Sequence, residues 1–261
     1  MLHELLVRLP HEDYVYLGDT ARFPYGEREP DELRRLAAQN AAVLLARGAK
    51  LLVVACNAAS AAALPFLRAE LAVSHPGVEV IGVVDAAARL ALHRTRNGRI
   101  GLLATPVAVA SRGYDDAIAA TGEFVELVAV PCPGLAPLIQ RGFPFDAEVM
   151  ETVRGYCRPL REAGVDTVIL GCTHYPLVAP MLQRMLGPDV VLVASGRAVA
   201  HSVQRALAAR GLSSTRDGEG DYRFLCTGDV HAFSAVGGRF LQMPLGPIDR
   251  IDVAVEAVAP A

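Results

Sequence analysis

The segment TVILGCTHYP, residues 167–176, carries a run of branched apolar residues up to Gly171 and then changes character at once. A cysteine, a hydroxyl and an imidazole follow the glycine without a spacer. A second segment, LLVVACNAAS at residues 51–60, has the same form, because its apolar run ends in a cysteine and an asparagine. Short continuous apolar runs are typical of strands that are buried on both faces of a parallel sheet. The two segments therefore predict two buried strands, each ending in a reactive side chain.

The rest of the chain alternates between such apolar runs and segments with helical spacing. Helices are predicted, for example, over residues 32–47, 58–71 and 148–163. The predicted strands are Tyr14–Leu17, Leu51–Ala55, Val78–Val84, Arg99–Ala104, Phe124–Val130, Thr167–Gly171 and Val190–Ala194. This alternation predicts the α/β class, with parallel sheets that carry helices on both faces.

The predicted strands occur twice in the same order along the chain. Val125–Val128 repeats Tyr14–Leu17 about 111 positions later, and Val168–Cys172 repeats Leu52–Cys56 at a slightly larger offset. The repeat predicts two pseudo-symmetric α/β lobes with the active site in the cleft between them. We expect residues 1–94 and 193–261 to form the first lobe, and residues 95–192 to form the second.

The repeat also has a gap at its beginning. The second half contains GRIGLLAT, residues 98–105, and the counterpart of this segment would fall before Met1. The repeat therefore predicts that the first lobe lacks its first strand and the loop that follows it. The leucines at positions 2, 5, 6 and 9 have the spacing of an amphipathic helix. They agree with this interpretation because they resemble the final part of a helix that would follow the missing strand.

Composition and charge exclude several classes of protein. The chain has 261 residues, 52% of them hydrophobic, and a net charge of −3 without a basic stripe, so we expect no nucleic-acid partner. Its apolar runs are too short to span a bilayer, and Glu4, Arg8 and Glu12 interrupt the start where a signal peptide needs an apolar stretch. Five widely spaced cysteines predict reduced thiols and a cytoplasmic protein. No CxxC or HxxxH spacing indicates a metal site.

Cys56 and Cys172 are predicted to lie where ligands bind in open parallel sheets, at the carboxyl ends of strands. A helix that starts there presents N–H groups and a partial positive charge, which lower the pKa of a thiol. Free cysteines are more often simply buried in a core, and this is the interpretation that we keep for Cys132, Cys157 and Cys226. Two cysteines at repeat-equivalent strand ends favour instead a pair of opposed thiols, one to remove a proton from a carbon acid and one to return a proton on the other face.

The sequence also bears on the cofactor of such a reaction. Amino-acid racemisation commonly uses pyridoxal phosphate, which requires a lysine for its Schiff base. Lys50 is the only lysine of the chain, and it precedes its strand, at the edge of the sheet opposite Cys56. We therefore predict a mechanism without a cofactor.

Five segments in order along the chain resemble the glutamate racemases of bacterial cell-wall synthesis, in the aspartate/glutamate racemase superfamily. They are YVYLGDTARFPYGER, VVACNAAS, IGLLATPVAVAS, LGCTHYPL and the late TGD followed by phenylalanine. The resemblance covers nearly the whole chain. It implies two pseudo-symmetric α/β lobes and cofactor-independent interconversion of L- and D-glutamate, which supplies D-glutamate for peptidoglycan. Glutamate is then the small-molecule partner, and a homodimer is left open.

The resemblance also implies roles for individual residues. Cys56 and Cys172 are expected to be the catalytic acid/base pair, assisted by Asp19 and His174. The substrate site is expected to be lined by Tyr25, Gly26, Asn57, Ala58, Thr105, Thr173 and His174.

The chain departs from the pattern of this family at several positions. The family begins with a strand and an Asp-Ser-Gly loop, which have no counterpart in the sequence. Ala58 and Ala108 stand where the family usually has threonine, and Gln140 stands where it often has glutamate. These departures leave two alternatives: a racemase of the superfamily that acts on aspartate or a hydantoin, and a truncated homologue of low activity that only binds an acidic ligand.

Overall fold

The strands of this protein pair in parallel wherever the structure, a computed structural model, describes them, which is over residues 1–142 and 146–253. The strands are β1 Tyr14–Gly18, β2 Leu51–Val54, β3 Glu79–Gly82, β4 Arg99–Ala104, β5 Glu126–Pro131, β6 Thr167–Gly171, β7 Val191–Val193, β8 Tyr222–Cys226 and β9 Ile248–Arg250. The helices are α1 Leu2–Arg8, α2 Pro30–Leu45, α3 Asn57–Ser74, α4 Val84–Arg94, α5 Pro106–Ala110, α6 Gly113–Ala119, α7 Leu135–Gln140, α8 Ala147–Glu162, α9 Ala179–Leu186, α10 Gly196–Ala209 and α11 Val230–Leu241. The predicted α/β class is confirmed.

The second lobe is built on a sheet of four parallel strands in the order β5-β4-β6-β7. β4 lies between β5 and β6, and every residue of β6 is buried. Such burial on both faces explains why these two strands contain almost only apolar residues.

The other, first lobe contains two separate sheets in the part of the chain that the structure describes. One sheet has the order β1-β8-β9, and the other pairs β2 with β3. In the second lobe, β4 lies between the strands that correspond to β1 and β2 by the sequence repeat. No described strand occupies that position in the first lobe, and the sheet is divided there.

Two helices, α4 and α10, each follow a strand of one lobe and pack against the other lobe. α4 follows the first-lobe strand β3 and packs against α6 and the second-lobe strand β6, whereas α10 follows β7 and packs against α1 and β3. One apolar cluster runs through this region, from Leu5 and Ile81 to Ile100, Ile169 and Val199. The shared core fixes the position of one lobe relative to the other, and hence the shape of the cleft between them. None of the helices described is long and apolar enough to cross a membrane.

Most predicted boundaries agree with the structure, and the differences have local causes. β4 and β6 span the predicted residues, but the apolar run from Val78 divides into β3 and the start of α4 at Val84. An apolar run does not by itself distinguish a strand from a buried helix. Phe124, predicted to lie in a strand, is fully exposed and precedes β5. β8 and β9 were not predicted, because their charged residues interrupt the apolar pattern.

Candidate active site

Cys56 lies between β2 and the first turn of α3, as predicted. β2 ends at Val54, and α3 begins at Asn57 with Cys56 as its capping residue. Burial raises the pKa of the Cys56 thiol, and the backbone N–H groups of Ala59 and Ala58 act in the opposite direction. The start of α3 thus partly offsets the cost of a thiolate in this buried place.

Cys172 occupies the corresponding position in the second lobe, directly after β6. Burial raises the pKa of this thiol to about 12, while the N–H groups of His174 and Tyr175 and the hydroxyl of Thr173 lower it. A negative charge on Cys56 also raises the pKa of Cys172. The two thiols therefore interact electrostatically, and ionisation of one disfavours ionisation of the other.

All residues predicted for the site line one cavity of about 1400 Å³. They are Asp19, Tyr25, Gly26, Cys56, Asn57, Ala58, Thr105, Cys172, Thr173 and His174. The part of the cavity that these residues line lies at the carboxyl ends of β2 and β6, where an open parallel sheet binds its ligands. The fold thus brings together side chains that are spread over more than half of the sequence.

His174 is held beside Cys172 by aromatic rings and by Gln140. Its Nδ1 lies 3.7 Å from the Cys172 Sγ, and its Nε2 lies 3.0 Å from the Gln140 Oε1. The ring centroids of Phe23 and Phe240 are 5.8 Å and 5.6 Å from that of the imidazole. Burial lowers the pKa of His174 to about 4, so the ring is neutral at neutral pH. With the Gln140 amide oxygen as acceptor, Nε2 carries the proton and Nδ1 accepts from the thiol.

Asp19 is fully engaged in a network at the end of β1. Its carboxylate accepts hydrogen bonds from Arg22 Nε at 2.8 Å, from Thr227 Oγ1 at 2.8 Å and from the Tyr25 hydroxyl. Asn40 in turn donates to the Tyr25 hydroxyl at 3.1 Å. Neither cysteine of the pair is among the hydrogen-bond partners of Asp19 in the described residues. Thr227 belongs to the TGD segment that follows β8, a motif whose role the sequence did not indicate.

Asn57 is anchored by a tyrosine from the opposite lobe. The hydroxyl of Tyr114 in α6 donates to Asn57 Oδ1 at 2.6 Å, and both side chains are buried. Tyr114 was not predicted as a site residue, since an aromatic residue in a helix is usually a core residue.

Thr105 and Gly26 meet where the two lobes approach each other closely. A Cβ atom at Gly26 would lie 2.5 Å from the Thr105 Cγ2, so only glycine fits at this position. The Thr105 hydroxyl is buried, and Oγ1 has no hydrogen-bond partner among the described residues. A buried hydroxyl without a partner is destabilising. In the wall of a cavity, it is a group that a ligand can satisfy.

Two positions at which the chain departs from the expected motifs lie in apolar surroundings. Ala58 packs with Leu33, Ala62 and Val107, and Ala108 is buried in the core that the two lobes share. The remaining cysteines, Cys132, Cys157 and Cys226, are buried among apolar residues, as expected for core positions.

Lys50 lies at the amino end of β2, as predicted, where its Nζ contacts Glu12 Oε2 and the Leu212 carbonyl oxygen, both at 2.6 Å. The described residues contain no group of three or more histidine, cysteine or acidic side chains that could hold a metal ion.

Two thiols that follow equivalent strands of the two lobes and line one cavity are the arrangement expected of a racemase with two acid/base groups. Comparison with known protein families identifies the same class of enzyme. Residues 2–213 match the family Asp/Glu/Hydantoin racemase. The chain belongs to this family.

Three proteins that are similar to this chain are glutamate racemases. A glutamate racemase of Roseiflexus sp. strain RS-1 is 41% identical over 258 residues, which are 98% of this chain and 93% of that protein. The crystal structure of a glutamate racemase from Bacillus anthracis superposes with a TM-score of 0.89 at 31% identity, covering 96% of this chain and 92% of the other. A glutamate racemase from Francisella tularensis, solved in complex with D-glutamate, has the same TM-score at 28% identity, with 97% and 93% covered.

Proposed function

We propose that this protein interconverts L- and D-glutamate, with Cys56 and Cys172 as the two catalytic acid/base groups. The observation that carries the proposal is the placement of the two thiols after repeat-equivalent strands, in the wall of one cavity. The names of the similar proteins support glutamate as the substrate. The Francisella tularensis complex with D-glutamate supports it as well.

The reaction exchanges one proton on each face of the α-carbon. In one direction, the thiolate of Cys56 removes the α-proton and the thiol of Cys172 delivers a proton to the opposite face. The two groups exchange roles in the other direction, so each turnover leaves the enzyme with the opposite thiol ionised. Two thiols of raised pKa whose charges disfavour each other suit this cycle, since only one of the pair is ionised at any time.

Ionisation of each thiol needs local help, because both are buried. For Cys56 this help comes from the N–H groups at the start of α3. For Cys172 it comes from backbone N–H groups and from the neutral His174, whose Nδ1 accepts from the thiol. His174 should therefore matter mainly in the direction in which Cys172 is the base.

The substrate is bound by polar groups of the cavity whose hydrogen-bonding capacity is not filled by other described residues. The Thr105 hydroxyl has no described partner, and Thr173 is exposed to the cleft. The Asn57 amide is held by Tyr114 through its oxygen, which makes its nitrogen the donor toward a ligand. Tyr25 and Asp19 contribute through the network that shapes this wall of the cavity. Hydroxyl and amide donors are suited to the two carboxylates of glutamate.

The remaining parts of the proposal concern the setting of the reaction. We propose that the enzyme acts in the cytoplasm, where D-glutamate enters peptidoglycan synthesis, without a cofactor and as a monomer or homodimer. We propose lobe boundaries at residues 1–94 with 193–261, and at 95–192. With these boundaries, α4 packs across from the first lobe against α6 and β6 of the second, whereas α10 packs within the first lobe against α1 and β3.

The proposal is tested by incubating the purified chain with each enantiomer of glutamate in deuterium oxide. Circular dichroism follows racemisation, and proton NMR follows loss of the α-proton. We expect both enantiomers to give the racemate, with deuterium at the α-carbon of the product. Parallel incubations with aspartate and with a hydantoin separate the substrates of this family. Turnover of aspartate alone, or binding of glutamate without any α-proton exchange, would contradict the proposal.

A further inference from the structure

The short helix α7 of the second lobe carries Gln140 at its C-terminal end. The Gln140 Oε1 lies 3.0 Å from His174 Nε2, and His174 Nδ1 lies 3.7 Å from the Cys172 Sγ. The position of α7 therefore determines the orientation of an imidazole that contacts one of the two proposed bases. Contacts that hold α7 in place bear on the reaction for this reason.

The first lobe contacts the beginning of α7 through Glu27. This residue lies in the helical turn Tyr25–Glu27, and its Oε1 accepts a hydrogen bond from the backbone N–H of Gly134 at 3.0 Å. Gly134 is the capping residue of α7. Backbone N–H groups at the start of a helix have no partner within the helix. The Glu27 carboxylate supplies a partner from across the cleft.

Arg239 makes the corresponding contact at the other end of α7. Its Nη2 donates to the backbone carbonyl oxygen of Gln140 at 3.4 Å, and its guanidinium lies 5.8 Å from the ring centroid of Phe240. Arg239 belongs to α11, which lies in the first lobe by the boundaries given above. Carbonyl groups at the end of a helix likewise need partners from outside it. Charged side chains of the first lobe thus contact both ends of α7.

The same two segments of the first lobe also cover His174. Phe23 lies four positions before Glu27, and Phe240 directly follows Arg239. The ring of Phe23 is tilted against the imidazole, and the ring of Phe240 meets it edge to face at 86°. The first lobe therefore contacts His174 directly through two rings and indirectly through α7.

The contacts of Glu27 and Arg239 are suited to orienting α7 and contribute little to the stability of the fold. Both side chains are exposed. An exposed charged pair changes a folding equilibrium by about fivefold at most, because water and salt screen it. A hydrogen bond, by contrast, weakens steeply when its distance or angle departs from the optimum. Small movements of α7 are therefore sufficient to weaken the contact of Gln140 with His174.

We propose that Glu27 and Arg239 are positioning residues of the reaction, which hold α7 at its two ends from the first lobe and thereby keep Gln140 in contact with His174. The inference rests on the proposed function. Loss of either contact lets α7 move away from the cleft, and Gln140 then no longer aligns the imidazole with Cys172. The effect falls on the direction in which Cys172 is the base.

The test uses two variants that remove the contacts, Glu27→Ala and Arg239→Met, and two that conserve them, Glu27→Gln and Arg239→Lys. The amide oxygen of glutamine still accepts a hydrogen bond, and the ammonium of lysine still donates one. Glu151→Ala and Arg154→Met are the matched controls, since these two exposed residues of α8 pair with each other. Far-ultraviolet circular dichroism checks the fold of all six variants.

Two measurements do not require turnover. We expect Glu27→Ala and Arg239→Met to speed hydrogen exchange at the amides of α7 about threefold or more, with exchange in β6 unchanged. Nitrogen NMR of His174 should show a shift from the Nε2–H tautomer toward a mixture of the two neutral tautomers. The conservative variants and the α8 controls should match the unchanged protein in both measurements.

Kinetics with the two enantiomers of glutamate test the effect on the reaction. The enantiomer that Cys56→Ser still exchanges is the one for which Cys172 is the base. We expect Glu27→Ala and Arg239→Met to lower kcat for this enantiomer about threefold to fivefold, with a smaller change for the other enantiomer and in KM. In a Gln140→Ala background, the same two substitutions should have no further effect on kcat, because they act through Gln140.

The proposal is overturned if α7 exchange and the His174 tautomer are the same in Glu27→Ala, Arg239→Met and the α8 controls. It is also overturned if the two variants slow both directions equally, or if their effects on kcat persist in full in the Gln140→Ala background. A chain that does not racemise glutamate would contradict the proposed function, whereas hydrogen exchange and the tautomer of His174 would still decide whether Glu27 and Arg239 hold α7.

Discussion

The hydroxyl of Tyr114 donates a hydrogen bond to Asn57 Oδ1 across 2.6 Å, and this bond joins the two lobes directly beside Cys56. Tyr114 is in α6 of the second lobe, and Asn57 is the first residue of α3 in the first lobe. Both side chains are almost completely buried. The bond therefore fixes the orientation of Asn57, the residue next to Cys56. It does so through a side chain of the lobe that carries Cys172, the other proposed base.

Removal of this hydroxyl should affect turnover more than the fold. We expect Tyr114→Phe to lower kcat about tenfold with a smaller change in KM, and to lower the free energy of unfolding by about 1–2 kcal/mol, because a buried amide oxygen loses its donor. Thermal unfolding and steady-state kinetics measure the two effects. Tyr156→Phe is the control, since the Tyr156 hydroxyl donates to the Pro133 carbonyl oxygen away from the two cysteines. Equal effects of the two variants on kcat would contradict the positioning role.

Replacement of either proposed base should stop racemisation. We expect Cys56→Ser and Cys172→Ser to reduce turnover by about three orders of magnitude or more, since a serine hydroxyl is a much weaker acid than a thiol. Each variant should still exchange the α-proton of one enantiomer, the one whose base it retains. Proton NMR in deuterium oxide detects this half-reaction. The control is Cys157→Ala, at a core position in α8, which should retain turnover. Full racemisation by either serine variant would exclude two bases.

The charge state of His174 should depend on Gln140. In the structure, the Gln140 amide oxygen accepts from His174 Nε2, and burial holds the pKa of the imidazole at about 4. We expect Gln140→Glu to raise this pKa by one unit or more, because a carboxylate stabilises the imidazolium. NMR of the imidazole resonances measures the change. Gln204→Glu is the control, since Gln204 accepts from Arg8 at the surface. An unchanged pKa in Gln140→Glu would contradict this contact.

The stability of the protein should depend on pH through His174. The pKa is about 4 in the folded state and near 6.5 in the unfolded chain, so between these values the unfolded chain binds the proton first. Stability is therefore retained above about pH 6.5 and falls as the pH decreases toward 4, by about 3 kcal/mol from this group. Urea unfolding of the protein and of His174→Asn across this range measures the difference. A constant difference between the two proteins at all pH values would rule out the contribution.

The Thr105 hydroxyl should contribute to binding of the substrate and not to the fold. We expect Thr105→Val to raise the KM for glutamate about tenfold, the effect of losing one hydrogen bond to a charged group. The melting temperature should stay constant or rise, because the variant removes a buried hydroxyl that has no described partner. Thr152→Val, at an exposed position in α8, is the control. A large loss of stability with unchanged KM would assign a structural role to this hydroxyl.

The sequence by itself determined the features that depend on local pattern. Continuous apolar runs fixed β4 and β6 to the residue, and the abrupt change to polar residues placed Cys56 and Cys172 at strand ends. The strand β8 escaped prediction because Arg223 interrupts a five-residue strand that pairs with β1, about two hundred positions earlier. A pairing at that distance leaves no local periodic signal.

Only the tertiary structure decided which polar groups meet. Gln140 reaches His174 because α7 packs against the turn Tyr175–Val178 within the second lobe. Tyr114 reaches Asn57 because packing of the two lobes brings α6 to α3. Packing likewise leaves the Thr105 hydroxyl without a described partner. The spacing of apolar residues in a sequence indicates which face of each helix and strand is buried. Contacts across a cleft depend instead on how elements that are distant in the sequence pack together.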